Sequence, residues 1–355
     1  MLRKSYEFSS GSFSFTNLVP VNLSTDRQVQ LTIPNTLAVI QKSQMIIKVR
    51  YIIPLLSVLS FSCSSNDDNS NDLLLYPSFG PEIEITINGL LFDAMEPFVS
   101  PDESYLFFNN LNDGVNTKLY YATKINDSTF NYVGELTGAN QTVSPHLDAV
   151  ADMDANDNFY WTSTRDYPIE LNNLFHGTFS AGNISGIERV QGDFNMNIPG
   201  WLIMDHGISL DGQYLYFNNA RFDDMNCQGP CETTLGIAQK ENTTTFSTLP
   251  NSASILKNIN DANYIYYAPC ISSDNLELYY TRYLKGQITS STIFEICVAV
   301  RSNPLSEFSF PRVLFSETIS NLIEAPTLTI DKSIIYYHQK TADSHKIMMR
   351  YRSTL

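Results

Sequence analysis

The chain has 355 residues, of which 43% are hydrophobic and 12% are aromatic. This is enough apolar material for a sizeable core, and it excludes an intrinsically disordered protein. The formal net charge of -15, from 22 basic and 37 acidic residues, makes nucleic acid an unsuitable partner because like charges repel. Aromatic residues are mainly Tyr and Phe and only 17% of residues are charged, a balance that favours strands over amphipathic helices.

The N-terminal region differs in composition from the rest. Residues 1–44 are predicted to be either a segment upstream of the natural start or a disordered tail. Residues 45–62 begin with the basic stretch Met45–Arg50 and continue into an apolar run at 51–61. Eleven residues are too few to span a bilayer as a helix, so this segment predicts a secretory signal peptide.

The apolar run ends at Cys63, and a polar, acidic stretch follows it. This junction resembles a bacterial lipoprotein signal, although Ser60 stands where such signals usually carry Leu. The resemblance implies export across the inner membrane, lipidation of Cys63 and a flexible tether over 63–78. The protein would then be held in the cell envelope, at the outer membrane, on its periplasmic or surface side. Contact with the membrane would be through the lipid only.

The alternative for this segment is a disordered tail with a chance apolar patch. If residues 1–63 are removed, 16 basic and 35 acidic residues remain, and the net charge becomes -19. A body this acidic repels phosphate backbones and anionic membrane surfaces.

Four further cysteines follow Cys63. Cys227 and Cys231 enclose a short loop with Gly and Pro, which predicts a disulfide in an oxidising compartment. A metal site is the alternative, but there is no nearby His or second Cys pair to complete it. Cys270 and Cys297 fall in predicted strands and are expected to be buried thiols.

Five segments recur along the chain, each with an aspartate in a turn followed by a strand that carries paired aromatic residues. The aspartates are Asp102, Asp154, Asp211, Asp274 and Asp331, which are spaced by 52, 57, 63 and 57 residues. A short carboxylate can accept hydrogen bonds from turn amides, and Gly212 or Asn275 beside it tolerates positive φ. We therefore expect a structural role for all five.

Two more short apolar strands follow each turn segment in most units. Four antiparallel strands in each of five units predict an all-β fold, a β-propeller over residues 79–355 with five blades, or six as the alternative. The last unit lacks a fourth strand, whereas an alternating segment at 82–87 precedes the first unit. Because a ring must leave no exposed sheet edge, we predict that this N-terminal strand closes the last blade.

The turns Ser100–Asp102 and Ser209–Gly212, each followed by an aromatic strand, resemble the WD-like propeller repeat of the TolB family. The resemblance covers about residues 82–352. It implies a propeller in which the first strand of each blade lines a central channel. TolB propellers usually have six blades, whereas five units are present here.

In such a propeller the first strands begin at the face formed by the long loops. Six residues before the turn aspartates, the five units carry Glu96, Asp148, Asp205, Ala268 and Ala325. Three of these residues are acidic and two are small. The pattern therefore predicts an acidic channel mouth with open space opposite the acids.

Three carboxylates at the channel also resemble the arrangement in five-bladed glycosidases of the arabinanase kind. Those enzymes use an acid, a base and a third carboxylate that tunes their pKa values, and hydrolysis needs two carboxyls with different pKa values. Their order is Asp, Asp, Glu, whereas this chain has Glu96, Asp148 and Asp205, and their flanking motifs are absent. Catalysis by these three residues is the alternative function.

Other residues are expected on the same face. Arg165, Arg221 and Arg282 follow second strands and either bind a ligand or form ion pairs with the mouth carboxylates. His206 lies beside Asp205, but no third ligand has suitable spacing, and no metal or cofactor is predicted. Trp201 is expected in the loop before the third blade, as a stacking platform or as packing between blades.

These observations predict a lipid-anchored binding module of the cell envelope. Its ligand would be a protein, a peptide or a glycan that docks on the long-loop face. The alternatives are a glycan-active hydrolase and a purely structural lipoprotein.

Overall fold

The computed structural model describes residues 75–342 and 344–353. The predicted leader at 45–62, Cys63 and most of the predicted tether therefore lie outside the described residues. No helix within the described residues is long and apolar enough to cross a membrane. Helix is confined there to one turn, α1 (Ser252–Ile255), and a 3-10 turn at Ile319–Asn321.

The remaining elements are strands, which follow the chain in blade order. Before the first blade come β1 (Ile83–Glu84) and β2 (Thr86–Asn88). Blade 1 contains β3 (Met95–Val99), β4 (Tyr105–Asn109), β6 (Leu119–Asn126) and β7 (Thr129–Glu135). The short strand β5 (Asn116–Thr117) lies between β4 and β6 in the chain but belongs to the sheet of blade 2. Blade 2 contains β8 (His146–Met153), β9 (Asn158–Ser163), β10 (Leu174–Ser180) and β11 (Asn183–Arg189).

The later blades have the same plan. Blade 3 contains β12 (Gln191–Gly192), β13 (Trp201–Ile208), β14 (Tyr214–Arg221), β15 (Glu232–Lys240) and β16 (Thr245–Thr248). Blade 4 contains β17 (Tyr264–Ile271), β18 (Glu277–Leu284), β19 (Ile293–Val300) and β20 (Arg312–Thr318). Blade 5 contains β21 (Ile323–Leu328), β22 (Ile334–Lys340) and β23 (His345–Tyr351).

Each blade is a separate sheet of four principal antiparallel strands. In blades 1–4 these strands pair in chain order from the channel outwards, whereas the fourth strand of blade 5 is β1. The short strands β2, β5 and β12 add parallel pairings to β7, β8 and β16. The predicted all-β propeller with five blades is confirmed, and five rather than six is the blade number.

The N-terminal strand closes the ring, as predicted. Strand β1 pairs antiparallel with β23, so that Ile83 lies opposite Met349. The next residue after β1, Ile85, donates its amide to the carbonyl of Ile347. Strand β2 then pairs with β7 at the outer edge of blade 1. One short segment therefore joins the last blade to the first.

Apolar packing between neighbouring blades explains the aromatic pairs of the sequence. Because side chains alternate between the two faces of a strand, paired aromatics supply both adjacent interfaces. Tyr336 packs with Phe108 between blades 5 and 1, whereas its neighbour Tyr337 packs with Tyr279 between blades 4 and 5. All five interfaces contain such a cluster. The blades therefore stabilise one another, and the core is a ring of five interfaces.

The turn aspartates have the predicted structural role. Asp211 Oδ1 accepts the amide of Gln213 at 3.0 Å, and Asp102, Asp274 and Asp331 bind their own turns in the same way. Gly212 and Asn275 both have positive φ, 67° and 61°. These carboxylates stabilise turns on the face opposite the long loops.

The second repeat needs a correction of register. The residue with positive φ in its turn is Asp157, which corresponds to Gly212 in the third repeat. Asp154 therefore aligns with Ser209 and not with Asp211, and Asn156 stands at the aspartate position. The turn of blade 2 is one residue shorter, since the Asp154 amide bonds to the carbonyl of Asn158, four residues on, whereas Ser209 bonds to Tyr214, five residues on.

Ring closure predicts a specific loss of stability. Ile85 is buried in the cluster between blades 5 and 1. We expect Ile85→Ala to lower the free energy of unfolding by about 2–5 kcal/mol, because the substitution leaves a cavity at the closure. Ile125→Ala, at a site 54% exposed, is the matched control and is expected to cost less than about 1 kcal/mol. Urea denaturation measures both, and equal losses would contradict the closure role.

Candidate channel-mouth site

The channel mouth is formed where the first strand of each blade makes a bulge. Glu96, Val150, Ala268 and Ala325 have φ between 50° and 57°, and strand pairing shifts register beside each of them. Asp205 follows the corresponding shift in blade 3. We call these five residues the mouth ring: Glu96, Val150, Asp205, Ala268 and Ala325.

Asp148 is therefore not part of the mouth ring. The corrected register places it two residues before Val150, which is the contribution of blade 2. Its side chain is fully buried, its Oδ1 lies 3.2 Å from the guanidinium of Arg165, and its Oδ2 accepts the amide of Gln141 at 2.7 Å. Both oxygens are engaged, so Asp148 forms a structural ion pair. The structure does not bring Glu96, Asp148 and Asp205 together as one open set.

Glu96 and Asp205 do face a common cavity along the channel, and both belong to its lining. Glu96 Oε1 accepts a hydrogen bond from the amide of Asn112 at 2.7 Å. Among the described residues, Glu96 Oε2 and Asp205 Oδ2 have no hydrogen-bond partner. Both side chains are more than nine-tenths buried. Two acceptor oxygens are therefore left unsatisfied at the mouth.

A third carboxylate, Glu324, lies close enough to raise the pKa of both acids. It precedes Ala325 by one residue, and its Oε1 accepts the hydroxyl of Tyr267 at 2.6 Å. Counting six residues back from Asp331 leads to Ala325, so the spacing along the chain predicts Ala325 and not Glu324 at this position. The available signal was a glutamate inside the otherwise uncharged strand β21, which is buried over most of its length.

His338 adds no positive charge to this cluster. The backbone amide of Glu96 donates to His338 Nδ1 at 3.1 Å, so Nδ1 carries no proton and the imidazole is neutral. Its Nε2 lies 3.2 Å from Glu324 Oε2. Next to it, the ring of His345 contacts Asp93. The cluster is therefore three carboxyl groups beside a neutral histidine.

No positively charged group of the described residues lies beside Glu96 and Asp205, and the pKa values of both carboxyls are raised. Burial, together with the nearby Asp205 and Glu324, raises the pKa of Glu96 well above its usual range. Burial also raises the pKa of Asp205 to about 7, with a smaller upward contribution from Glu324 and an opposing hydrogen bond from the amide of Ala268. Near neutral pH the pair therefore holds at least one proton.

Beyond the mouth ring the channel continues toward the face of the short turns, where Pro101, Leu210 and Ser273 line it. Phe98, Cys270 and Thr327 line it together with Asp152, whose carboxylate accepts the amides of Ile208 and Met153. Burial raises the pKa of Asp152 to about 8. Asp152 thus lies deeper than the mouth and is bonded to backbone.

The predicted arginines pair outside the mouth ring. Arg165 bonds to Asp148, as described above. Arg221 contacts Asp223 at 2.6 Å and Glu232 at 3.5 Å. Arg282 bonds to Glu295 at 2.7 Å. The last two pairs are local, so neither arginine neutralises Glu96 or Asp205.

Trp201 and His206 differ from their expected environments. Trp201 is the first residue of β13 rather than a loop residue, is half-buried, and pairs with Arg221 across the sheet. His206 is almost fully buried, and burial lowers its pKa to about 3, so the imidazole is neutral. His206 is also a lining residue of the channel cavity, next to Asp205.

Cys227 and Cys231 form a disulfide in the structure, with Cα atoms 5.3 Å apart. They form, with Asp224, the one group of potential metal-binding atoms found within the described residues. Because both sulfurs are engaged with each other, the thiolates that a metal would need are absent. Cys270 and Cys297 are free, Cys297 is buried, and burial raises the pKa of each thiol to about 12.

Comparison with known proteins identifies no family at the level of sequence. No protein-family model matches the chain. No curated protein matches it significantly either.

Solved structures are similar to this chain at the level of the fold. The catalytic domain of a Coprinopsis cinerea GH62 alpha-L-arabinofuranosidase is 11% identical, with 79% of this chain and 98% of that chain covered and a TM-score of 0.47. An endo-arabinase from Bacteroides thetaiotaomicron is 13% identical, with 77% and 98% covered and a TM-score of 0.46.

A putative TolB from Agrobacterium tumefaciens is 16% identical, with 73% of this chain and 76% of that chain covered and a TM-score of 0.38. Similar structures thus include both glycoside hydrolases and TolB propellers, at identities that indicate a shared fold only.

The environments of Asp205 and Asp148 predict that replacing each aspartate by asparagine has opposite effects on stability. The pKa of Asp205 is higher in the folded protein than in the unfolded chain, so the folded state binds more protons between about pH 4 and pH 7. The stability that protonated Asp205 contributes is fully present below about pH 4 and is lost as the pH rises through about 7.

We therefore expect Asp205→Asn to raise the free energy of unfolding at pH 8 by about 1–3 kcal/mol, and to have little effect at pH 4. Asp148→Asn is the control; it breaks the ion pair with Arg165 and is expected to cost about 1–3 kcal/mol at pH 8. Urea titrations at both pH values measure these effects. Destabilisation of Asp205→Asn at pH 8 would contradict the buried, unpaired state of this carboxyl.

Proposed function

We propose that this protein is a binding module of the cell envelope that takes a polypeptide ligand on its long-loop face, centred on the channel mouth. The observation that carries the proposal is the pair of buried carboxyl oxygens, on Glu96 and Asp205, that have no partner within the described residues. An unsatisfied buried acceptor costs free energy in the unliganded protein, and a ligand can recover that energy.

Exposed aliphatic side chains on the long loops support a polypeptide over a glycan. Leu91 is 96% exposed, Ile169 is 88% exposed and Met225 is 88% exposed, and each lies in a loop beside the start of a first or third strand. Aliphatic side chains of this kind pack against apolar residues of a partner, whereas sugars stack on aromatic rings. We call these three residues the apolar loop tips.

Anchoring through Cys63 is compatible with a ligand on the long-loop face. The first described residues run beside the face of the short turns, where the Gly80 amide bonds to Tyr351 and the Ser353 amide bonds to Ser78. A tether that enters at this face leaves the long-loop face free for a ligand.

The binding proposal is tested with an array of peptides and glycans. We expect peptide binding that the double substitution Ile169→Ser and Met225→Ser weakens at least about tenfold, since two apolar contacts are lost. Leu305→Ser is the matched control, because Leu305 is 68% exposed in a loop on the opposite face. Failure of every peptide to bind, or an equal loss in the control, would overturn the polypeptide proposal.

A glycan hydrolase is the second candidate, and the acidity of the mouth favours it. Hydrolysis needs one protonated and one ionised carboxyl, and the raised pKa of Glu96 beside Asp205 is compatible with that division. Asp148, the third carboxylate that the sequence suggested, is bonded to Arg165, so the reactive pair would be Glu96 and Asp205. The expected result for this candidate is release of reducing ends from a polysaccharide, lowered at least about 100-fold by Glu96→Gln. No release from any polysaccharide would exclude it.

The lipid anchor has its own test. We expect cells that express the full chain to incorporate a radioactive fatty acid into it, and Cys63→Ala to abolish the label, because Cys63 is the proposed acceptor. Cys297→Ala is the control, since that thiol is buried and should accept no lipid. Label that persists in Cys63→Ala would contradict lipidation at this residue.

A further inference from the structure

The channel mouth lacks positive charge in a way that defines the chemistry of its ligand. Within the described residues, Glu96 and Asp205 form no ion pair, and Glu324 has an ion-pair contact only with His338, which is neutral. Buried carboxylates normally have a cationic or hydrogen-bonded partner, because desolvation disfavours a lone charge. Burial and the neighbouring acids raise the pKa values of Glu96 and Asp205, so in the unliganded protein bound protons offset part of this deficit.

The hydrogen-bonding groups of the mouth are mainly acceptors. Three donors next to the carboxyls are already used: Asn112 bonds to Glu96, Tyr267 bonds to Glu324, and the Glu96 amide bonds to His338. The ring nitrogens of His206, which also belongs to the cavity lining, have no hydrogen-bond partner within the described residues. The free carboxyl atoms, Glu96 Oε2 and Asp205 Oδ2, are acceptors once the carboxyls are ionised. A ligand group that only donates hydrogen bonds fits this set better than a hydroxyl, which both donates and accepts.

The rest of the mouth ring is apolar. Val150, Ala268 and Ala325 complete it, and Pro97 and Pro326 line the same cavity. Methyl and methylene surfaces cannot supply the six to eight oxygen ligands that calcium needs, nor replace the waters around magnesium. They do suit an alkyl chain, so the site combines an apolar wall with two acidic groups.

We propose that the mouth ring binds the primary ammonium group of a lysine side chain, with the ammonium between Glu96 and Asp205 and the methylenes against Val150, Ala268 and Ala325. This deepens the proposed polypeptide-binding function and rests on it. The ammonium has three donors and no acceptor, and the lysine stem is apolar. The apolar loop tips would contact the rest of the polypeptide around this anchor.

Protonation links the site to pH. Besides Glu96 and Asp205, the titratable groups that face it are Glu324, His338 and Tyr267, and His345 packs behind His338. Asp152 and His206 line the same cavity, and burial raises the pKa of Asp152 to about 8 and lowers that of His206 to about 3. Lysine stays charged up to about pH 10, whereas the mouth carboxyls release protons near and above neutral pH. Binding of an ammonium must therefore strengthen from pH 6 to pH 8, and at pH 7 it must release protons to the buffer.

The test uses Nα-acetyl-lysine-N-methylamide as the probe and titration calorimetry in two buffers of different ionisation enthalpy. We expect saturable binding at pH 8, weaker binding at pH 6 and a net release of protons at pH 7. The norleucine analogue, which keeps the alkyl chain and lacks the ammonium, is expected to bind at least about tenfold more weakly. Equal binding of the two analogues, or no binding of the lysine analogue at pH 8, would overturn the proposal.

Substitutions in the mouth ring test whether lysine binds there. Asp205→Asn and Glu96→Gln are each expected to weaken lysine binding at least about tenfold and to reduce the proton release, because each removes a charge-assisted hydrogen bond. Glu170→Gln is the control: it removes an exposed carboxylate from the same face and should leave binding within about twofold. Ala268→Leu, which fills the mouth and keeps both acids, should also abolish binding. Thermal unfolding establishes that each variant is folded.

Titrations with other cations distinguish a lysine side chain from a free amine or a metal ion. Butylammonium chloride that binds as tightly as the lysine analogue would assign the site to free amines and overturn a peptide ligand. Calcium chloride that displaces the lysine analogue through Glu96 and Asp205 would assign the site to a metal and overturn an ammonium site.

If array peptides bind and lose affinity with the loop-tip substitutions but not with Asp205→Asn, the polypeptide function stands and the lysine site fails. If the lysine analogue binds and no array peptide does, only the broader function fails.

Discussion

The structure depends on apolar packing between neighbouring blades, and this packing has to close into a ring. Each blade supplies aromatic side chains to two interfaces, so no blade has a core of its own. The pairing of β1 with β23 and the burial of Ile85 complete the fifth interface. Because the ring closes, the first strands of all blades converge on one axis, and residues far apart in sequence meet there. The channel mouth is a product of this closure.

At the mouth, backbone conformation decides which side chains meet. The bulge with positive φ that recurs in the first strands sets Glu96, Val150, Ala268 and Ala325 at corresponding positions, and Asp205 occupies that position in blade 3. A left-handed conformation at a non-glycine residue is unfavourable and persists only where its surroundings hold it in place. The two acids stand on two strands, β3 and β13, among small apolar neighbours, and Glu96 is one of the residues held in this conformation. Side chains placed on strands in this way are a suitable base for a binding site.

The contrast between Asp148 and Asp205 shows how environment separates two buried carboxyls on corresponding strands. Asp148 has a guanidinium and a backbone amide for its two oxygens, so its charge is compensated within the protein. Asp205 has an unpartnered oxygen and other acids nearby, and its pKa rises to about 7. A compensated carboxylate stabilises the fold, whereas an uncompensated one destabilises it and can be satisfied only by a proton or a ligand. This difference separates structural acids from the proposed binding acids.

The amino-acid sequence by itself determined the repeat, the strand order, the five blades and their closure, because these follow from local turn chemistry and from the alternation of side chains along strands. It also pointed to Glu96 and Asp205, since a constant offset from the turn leads to the same ring. Only the tertiary structure decided the membership of the site. The shorter turn of blade 2 replaced Asp148 by Val150, and β21 brought Glu324 beside the other acids. Pairing partners such as Arg165 and the tautomer of His338 depend on contacts between distant segments, which spacing along the chain does not encode.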